Sequence, residues 1–276
     1  MDVKLIALDL DGTTLRKGSV LSENTKEALE AAIDKGVHVV IATGRTFTAL
    51  PECIFQIKGL EYVITSNGAH TTELSTKEII YSNCAAGNAI EEVRNLLIEN
   101  TQFPVEVFTE GKAYIDEAVY EDVKNNGSDY MDASYIVRTR RPITSVYDFL
   151  LENKERIENI NIHFREFEDK AKFKDILSSY DGITVTSSMP HNIEIGGETT
   201  SKATAIAALC QKLGIEEANV MAVGDSPNDN AMIKAAGIGV AVGNAVDEVK
   251  AIADYVTLSN NEDGVAEVVK RFVLNM

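Results

Sequence analysis

Short apolar runs alternate with helical stretches along this chain, and each run closes on a cluster of small and polar residues. Residues 3–8 form a short apolar run ending in Asp9, which reads as a buried strand. Ser22 then caps a helix whose apolar stripe is Ala28, Leu29, Ala32 and Ile33 and which stops at Gly36. Residues 37–42 form a second strand, ending in Thr43-Gly44-Arg45, and a weaker helix interrupted by Pro51 follows. Residues 62–65 form a third strand, ending in Ser66-Asn67-Gly68. Strand–helix–strand repetition requires parallel pairing and crossover connections, so the expected fold class is α/β, a doubly wound parallel sheet.

The pattern changes after residue 70. A polar hairpin over 71–82, an amphipathic helix marked by Ala89, Ile90, Val93, Leu96 and Leu97, and a hairpin over 105–115 turning at Glu110-Gly111 are α+β in character. A strand (157–164), a helix (169–178) and a strand (183–186) continue it. The alternating pattern resumes at Ile193, with a helix over 201–213, strands over 220–223 and 238–242, and helices over 246–253 and 264–273. The expected organisation is a core built from 1–83 and 190–276, with an inserted α+β cap over 84–189.

At 276 residues the chain exceeds one typical domain of roughly 100–150 residues, in keeping with two. Acidic residues outnumber basic ones 43 to 26, for a net charge of −17, which argues against a nucleic-acid or anionic-membrane partner. A small anionic substrate remains compatible, because a bound metal can supply local positive charge. Cys53, Cys84 and Cys210 form no metal-type spacing and suit a reducing compartment. Without an apolar stretch of signal-peptide or membrane-spanning character, a cytoplasmic location is expected.

In an open parallel sheet the carboxyl ends of the strands share one edge, where ligands bind. That edge would gather Asp9-Leu10-Asp11-Gly12-Thr13, Thr43-Gly44-Arg45, Ser66-Asn67-Gly68, and Asp225 with Asn228-Asp229. Asp9 and Asp11 stand two apart on an extended segment and so share a side. Two carboxylates ~4 Å apart repel by about 4 kcal/mol at an effective dielectric near 20, and Asp225 and Asp229 add to the charge. An all-oxygen acidic site suits Mg²⁺, completed by a substrate phosphate, and the absence of histidine and cysteine from the motifs speaks against zinc. A carboxylate can attack phosphorus, and a second one can protonate the leaving alkoxide and then deprotonate water. Thr43 and Lys202 are a hydroxyl and an ammonium suited to a transferring phosphoryl group. Lys202 sits in the first turn of its helix, where the dipole disfavours it, so an anion explains its placement better than helix stability does.

Together Asp9-Leu10-Asp11-Gly12-Thr13, Thr43-Gly44-Arg45, Lys202 and Gly224-Asp225-Ser226-Pro227-Asn228-Asp229 resemble the motif set of the haloacid dehalogenase-like hydrolases. The order and the long insertion before Lys202 are similar to the Cof-type phosphatases, and the resemblance covers nearly the whole chain. It implies that Asp9 is the nucleophile and Asp11 the acid/base. It implies Mg²⁺ held by Asp9, the Asp11 main-chain carbonyl and Asp225, with Asp229 nearby, and phosphate contacts from Thr43, Gly44, Lys202 and Asn228, beside Arg45. The implied activity is Mg²⁺-dependent hydrolysis of a small phosphorylated metabolite, a sugar phosphate foremost, through an aspartyl-phosphate. Thr14 departs from the leucine common in the family.

Other readings stay open or fail on the same residues. A phosphomutase and a non-enzymatic phosphometabolite sensor are built on the same scaffold, though a sensor usually lacks the nucleophile or acid that this chain keeps. A calcium loop at Asp9 lacks its terminal glutamate and follows a strand. Residues 237–243 place their glycines wrongly for a dinucleotide fingerprint. His163, Arg165, Tyr114 and His191 read as structural residues first.

Overall fold

The computed structural model describes residues 2–85 and 87–276. The chain opens with β1 (Leu5–Leu8), α1 (Glu23–Asp34), β2 (His38–Ala42), β3 (Tyr62–Thr65), β4 (His70–Glu73) and β5 (Glu78–Ser82). The Ser22 hydroxyl accepts from the Thr25 backbone N–H and caps α1 as expected. The weak helix expected around Pro51 is instead two 3₁₀ turns, Phe47–Ala49 and Glu52–Gln56. Proline offers no N–H and biases the residue before it away from the α region, so one continuous helix cannot form.

The middle of the chain forms α2 (Asn88–Ile98), β6 (Val105–Thr109), β7 (Lys112–Asp116), α3 (Glu117–Asn126), α4 (Ala133–Thr139), β8 (Arg140–Ile143), α5 (Val146–Glu152), β9 (Asn159–His163), α6 (Phe167–Leu177), β10 (Ile183–Thr186) and β11 (Asn192–Gly197). The last part adds α7 (Lys202–Leu213), β12 (Val220–Gly224), α8 (Asn230–Ala235), β13 (Ile238–Ala241), α9 (Asp247–Ile252), β14 (Tyr255–Val256) and α10 (Gly264–Val269). No helix among the described residues is long and apolar enough to cross a membrane.

These elements make two compact units: Met1–Gly44, Leu50–Ser82 and Ser201–Met276 in the first, Arg45–Ala49 and Asn83–Thr200 in the second. The expected return at residue 190 is corrected by β11, which pairs antiparallel with β9 and β10 in the second unit. The apolar alternation of Ile193 and Ile195 is that of a sheet with one apolar face, which a short run cannot distinguish from a core strand.

The first unit holds an eight-stranded sheet in the order β14-β13-β12-β1-β2-β3-β4-β5, parallel from β14 to β3. Every residue of β1, β3 and β12 is buried, as a sheet covered on both faces requires. The strand order runs outward from β1 in both directions, so the edge between β1 and β12 is a topological switch point.

The second unit holds a six-stranded sheet in the order β10-β11-β9-β6-β7-β8. Its alternation separates two faces. Val105, Val107, Ile160, Ile162, Ile193 and Ile195 pack into an apolar core with residues of α2, α5 and α6. The opposite face carries Glu106, Asn161 and His163, all buried. There Arg140 grips Glu106 through Nε at 2.7 Å and a terminal nitrogen at 2.8 Å, and the Asn161 amide adds a bond at 3.1 Å. Burial works against the Glu106 charge, but Arg140 outweighs it and holds the carboxyl well below the glutamate range. A depressed folded-state pKa means that this stabilisation is complete above the unfolded glutamate value and is lost as acid protonates the pair. Glu106→Gln should therefore lower stability at neutral pH by about 3–5 kcal/mol, by leaving Arg140 buried and unpaired. Its stability should also fall less steeply below pH 4.5 than that of the parent, as denaturant melts across pH will report.

Candidate active site

The first unit's polar clusters meet at the β1–β12 switch point. Asp9 follows β1 directly, and its backbone N–H extends the ladder to the Val223 carbonyl at 3.0 Å. Its carboxylate accepts from Lys202 Nζ at 2.6 Å, and the same ammonium donates to Asp229 at 2.7 Å. Lys202 is fully buried. It sits in the first turn of α7, behind a capping box in which Ser201 and Thr204 exchange bonds. The anions that its awkward position required are the chain's own Asp9 and Asp229.

Asp229 spends both oxygens. One takes the Lys202 proton, and the other accepts the backbone N–H groups of Asp225 and Ser226 at 2.9 and 3.1 Å. It thus shapes the loop that presents Asp225 and fixes the lysine. Asp225 in turn accepts from the Thr13 and Ser226 hydroxyls at 2.8 and 2.9 Å. Nothing in the type or spacing of Thr13 and Ser226 marks them for this role; only their place beside the Asp225 carboxylate does. Gly12 lies between these groups in a left-handed conformation (φ 81°), and a Cβ there would stand 2.7 Å from an Asp225 carboxylate oxygen. Asp11 is exposed, two residues beyond Asp9.

Thr43 follows β2 directly, buried, with its N–H bonded to the Ile64 carbonyl at 2.9 Å. Its own carbonyl accepts from Asn67 at 3.0 Å, and the Asn67 side chain accepts from Asn228 Nδ2 at 3.0 Å. Ser66-Asn67-Gly68, ambiguous in the sequence, therefore links the Thr43 and Asn228 loops. Ser66 and Asn67 both hold left-handed backbone, at φ 50° and 57°, a conformation that costs non-glycine residues about 1–3 kcal/mol unless surroundings enforce it. Gly68 abuts the start of α7 so closely that a Cβ would meet the Ser201 carbonyl oxygen at 2.1 Å. Thr14, the departure from the family pattern, donates its hydroxyl to the Asp9 carbonyl at 2.5 Å and so braces the nucleophile candidate's own peptide.

Arg45 belongs to the second unit, where its guanidinium lies 5.1 Å from the Tyr135 ring centroid. His163 belongs to a relay fixed by a backbone donor. Met189 N–H donates to Asn192 Oδ1, Asn192 Nδ2 to Asn161 Oδ1, and Asn161 Nδ2 to His163 Nε2 at 3.0 Å. Nε2 also lies 3.4 Å from a Glu106 carboxylate oxygen, and Nδ1 is buried without a partner. Tyr114 stacks on Phe149 at 4.5 Å, and Arg165 is exposed beside Asp129.

Asp9, Asp225 and Asp229 each offer a carboxylate oxygen, all within 4.8 Å of one another. Burial raises the Asp9 carboxyl pKa, Lys202 pulls it down, and Asp229 and Asp225 push it up again, for a net rise well above the aspartate range. Burial and then Asp229 raise Asp225 against its hydroxyl donors. Burial opposes the charge of Lys202, yet Asp229 and Asp9 hold its ammonium above the lysine range. Asp9 and Asp229 thus share one ammonium, and Asp225 adds a third carboxylate within 4.8 Å of theirs, an excess of negative charge. The all-oxygen donor set fits a hard divalent cation, which would relieve that excess.

A family model described as haloacid dehalogenase-like hydrolase matches residues 6–269. The Bacillus subtilis 5-amino-6-(5-phospho-D-ribitylamino)uracil phosphatase YcsE is 37% identical, over 99% of this chain and 97% of its own. The phosphatase YwpJ of the same organism is 34% identical, over 98% of this chain and 100% of its own. Among solved structures, a Bacillus subtilis haloacid dehalogenase-like hydrolase superposes with a TM-score of 0.83 at 31% identity, covering 98% of this chain and 100% of the other. The subclass IIB sugar phosphatase BT4131 does so at 0.81 and 25% identity, covering 98% and 99%. With this motif geometry and these relatives, the chain belongs to the haloacid dehalogenase-like hydrolases and is a phosphoric monoester hydrolase.

Proposed function

We propose that this chain is a Mg²⁺-dependent phosphatase of small sugar and sugar-alcohol phosphates, working through an aspartyl-phosphate on Asp9. The observation that carries the reading is the Asp9 carboxylate at the switch point, bonded to a buried lysine and crowded by two further carboxylates. The relative that acts on a phosphoribityl compound and the sugar phosphatase among the structural neighbours support the substrate class.

In this reading the Asp9 oxygen attacks phosphorus, forming the O–P bond as the bond to the leaving oxygen breaks. Asp11 donates a proton to that oxygen and later takes one from the water that splits the acyl phosphate. The exposure of Asp11 suits a group that must reach both leaving group and water. Lys202 fixes the Asp9 carboxylate and, with the Thr43 hydroxyl, the Gly44 backbone and the Asn228 amide, stabilises charge on the transferring phosphoryl. Arg45 adds a cationic contact to substrate. Asp9, the Asp11 carbonyl and Asp225 would hold the cation, with Asp229 behind them orienting Lys202 and the loop. Bound there, Mg²⁺ supplies the positive charge that lets a phosphate dianion approach a carboxylate. The second unit serves as a cap that excludes bulk water and selects the leaving group.

Asp9→Asn removes the attacking charge while keeping the shape and should lower kcat by on the order of a thousandfold or more, measured as phosphate release in Mg²⁺ with folding checked by circular dichroism. Residual turnover near the parent's would remove Asp9 as nucleophile. Asp225→Ala should raise the Mg²⁺ concentration for half-maximal activity by about tenfold or more, and an unchanged metal titration would place the cation elsewhere.

A further inference from the structure

Two fully buried side chains of the second unit leave every polar atom without a hydrogen-bond partner and have no part in the chemistry above. They are the Asn159 carboxamide, orphaned at both Nδ2 and Oδ1, and the Thr46 hydroxyl. Each residue is 1% exposed. Leaving a buried donor or acceptor unsatisfied is costly, and an amide orphaned at both ends is rare in folded proteins without a role for it.

Asn159 begins β9 and stands two residues before Asn161, so it lies on the polar face of the six-stranded sheet. Its cross-strand neighbour is Phe108, and the Arg140 guanidinium lies 5.7 Å from that ring and 4.8 Å from Tyr135. Thr46 follows Arg45, whose guanidinium also lies against Tyr135. The segment is tied down by Thr48, whose N–H and hydroxyl both donate to the Gly111 carbonyl, at 3.0 and 2.8 Å, in the turn after β6. Phe108 and Gly111 thus bring Asn159 and Thr46 to the same end of the face. The nearest buried cation there, Arg140, is already matched by Glu106. What remains unmet is neutral hydrogen-bonding capacity.

A carboxamide presents a donor and an acceptor side by side in one plane. A single partner that meets both must present an acceptor and a donor in the same way, as the edge of adenine does to asparagine. Cyclic lactams and imides carry such an edge, and a threonine hydroxyl can serve a further oxygen or nitrogen beside it. Thr46 stands three residues along the chain from Thr43, in the motif that the proposed mechanism assigns to the phosphoryl group. We propose that Asn159 and Thr46 form a specificity site that reads an uncharged lactam or imide edge on the leaving group of the phosphate ester. This rests on the phosphatase reading.

The test compares kcat/KM for flavin mononucleotide and ribitol 5-phosphate, two ribityl phosphates of which only the first carries a fused pyrimidinedione. The wild type should favour the flavin ester, and Asn159→Ala should lower the ratio of the two constants by about tenfold to a hundredfold, mainly through KM for the flavin ester. A ratio within about twofold of the wild type, or a wild type that favours ribitol 5-phosphate, overturns the proposal. Should Asn159→Ala not fold, Thr46→Val reads the same ratio against the same criterion. Failure of the wild type to release phosphate from either ester and from p-nitrophenyl phosphate would instead overturn the phosphatase reading beneath it.

Discussion

The first unit is organised around one buried ammonium. Lys202 reaches from the start of α7 to the end of β1 and to the loop after β12, and it bonds Asp9 and Asp229 in a place without solvent. Removing Lys202 would leave two buried carboxylates without their counter-charge, at a cost of several kcal/mol. The triad therefore ties three chain segments, one at Asp9 and two far along the sequence at Lys202 and Asp229, to one geometry. Asp229 extends that constraint by accepting two backbone N–H groups, so the loop bearing Asp225 is shaped by the same carboxylate that holds the lysine.

The triad is also unbalanced. One ammonium bonds two carboxylates while a third, Asp225, stands beside them, and the pKa of Asp9 rises because burial and its acidic neighbours outweigh Lys202. Such a site is stable only while something positive can enter or a proton can be taken up. On the proposed reading that tension is put to use, since a cation that relieved the charge would also bring a phosphate dianion to Asp9. The second unit solves the opposite problem. Its sheet has one apolar face that builds a core and one buried polar face where Glu106, Arg140 and Asn161 satisfy one another. A polar face of this kind resists collapse and leaves room for directional recognition, of which the orphaned amide of Asn159 is the clearest sign.

The amino-acid order alone carries β1, β2, β3, β12 and β13, the cap and stop of α1, and the four clusters at the strand ends, but not the two-residue β14. These are local facts: an apolar run of strand length, a serine before a helix, a left-handed glycine after it. It was silent on residues 117–156, where α4 and α5 have seven residues each, too few turns for a 3.6-residue period to stand out, and where β8 carries Pro142, tolerated because that strand is the sheet's edge. It also set the end of the insertion too early, because Ile193 and Ile195 alternate in the same way whether their sheet is the first or the second. Folding alone reveals that Asp229 serves Lys202 and two backbone N–H groups, that Thr13 and Ser226 hold Asp225, and that Asn67 joins Thr43 to Asn228. The physical reason is that these are long-range pairings, and a side chain's type and spacing state what it can bond but not which distant partner the sheet will bring to it.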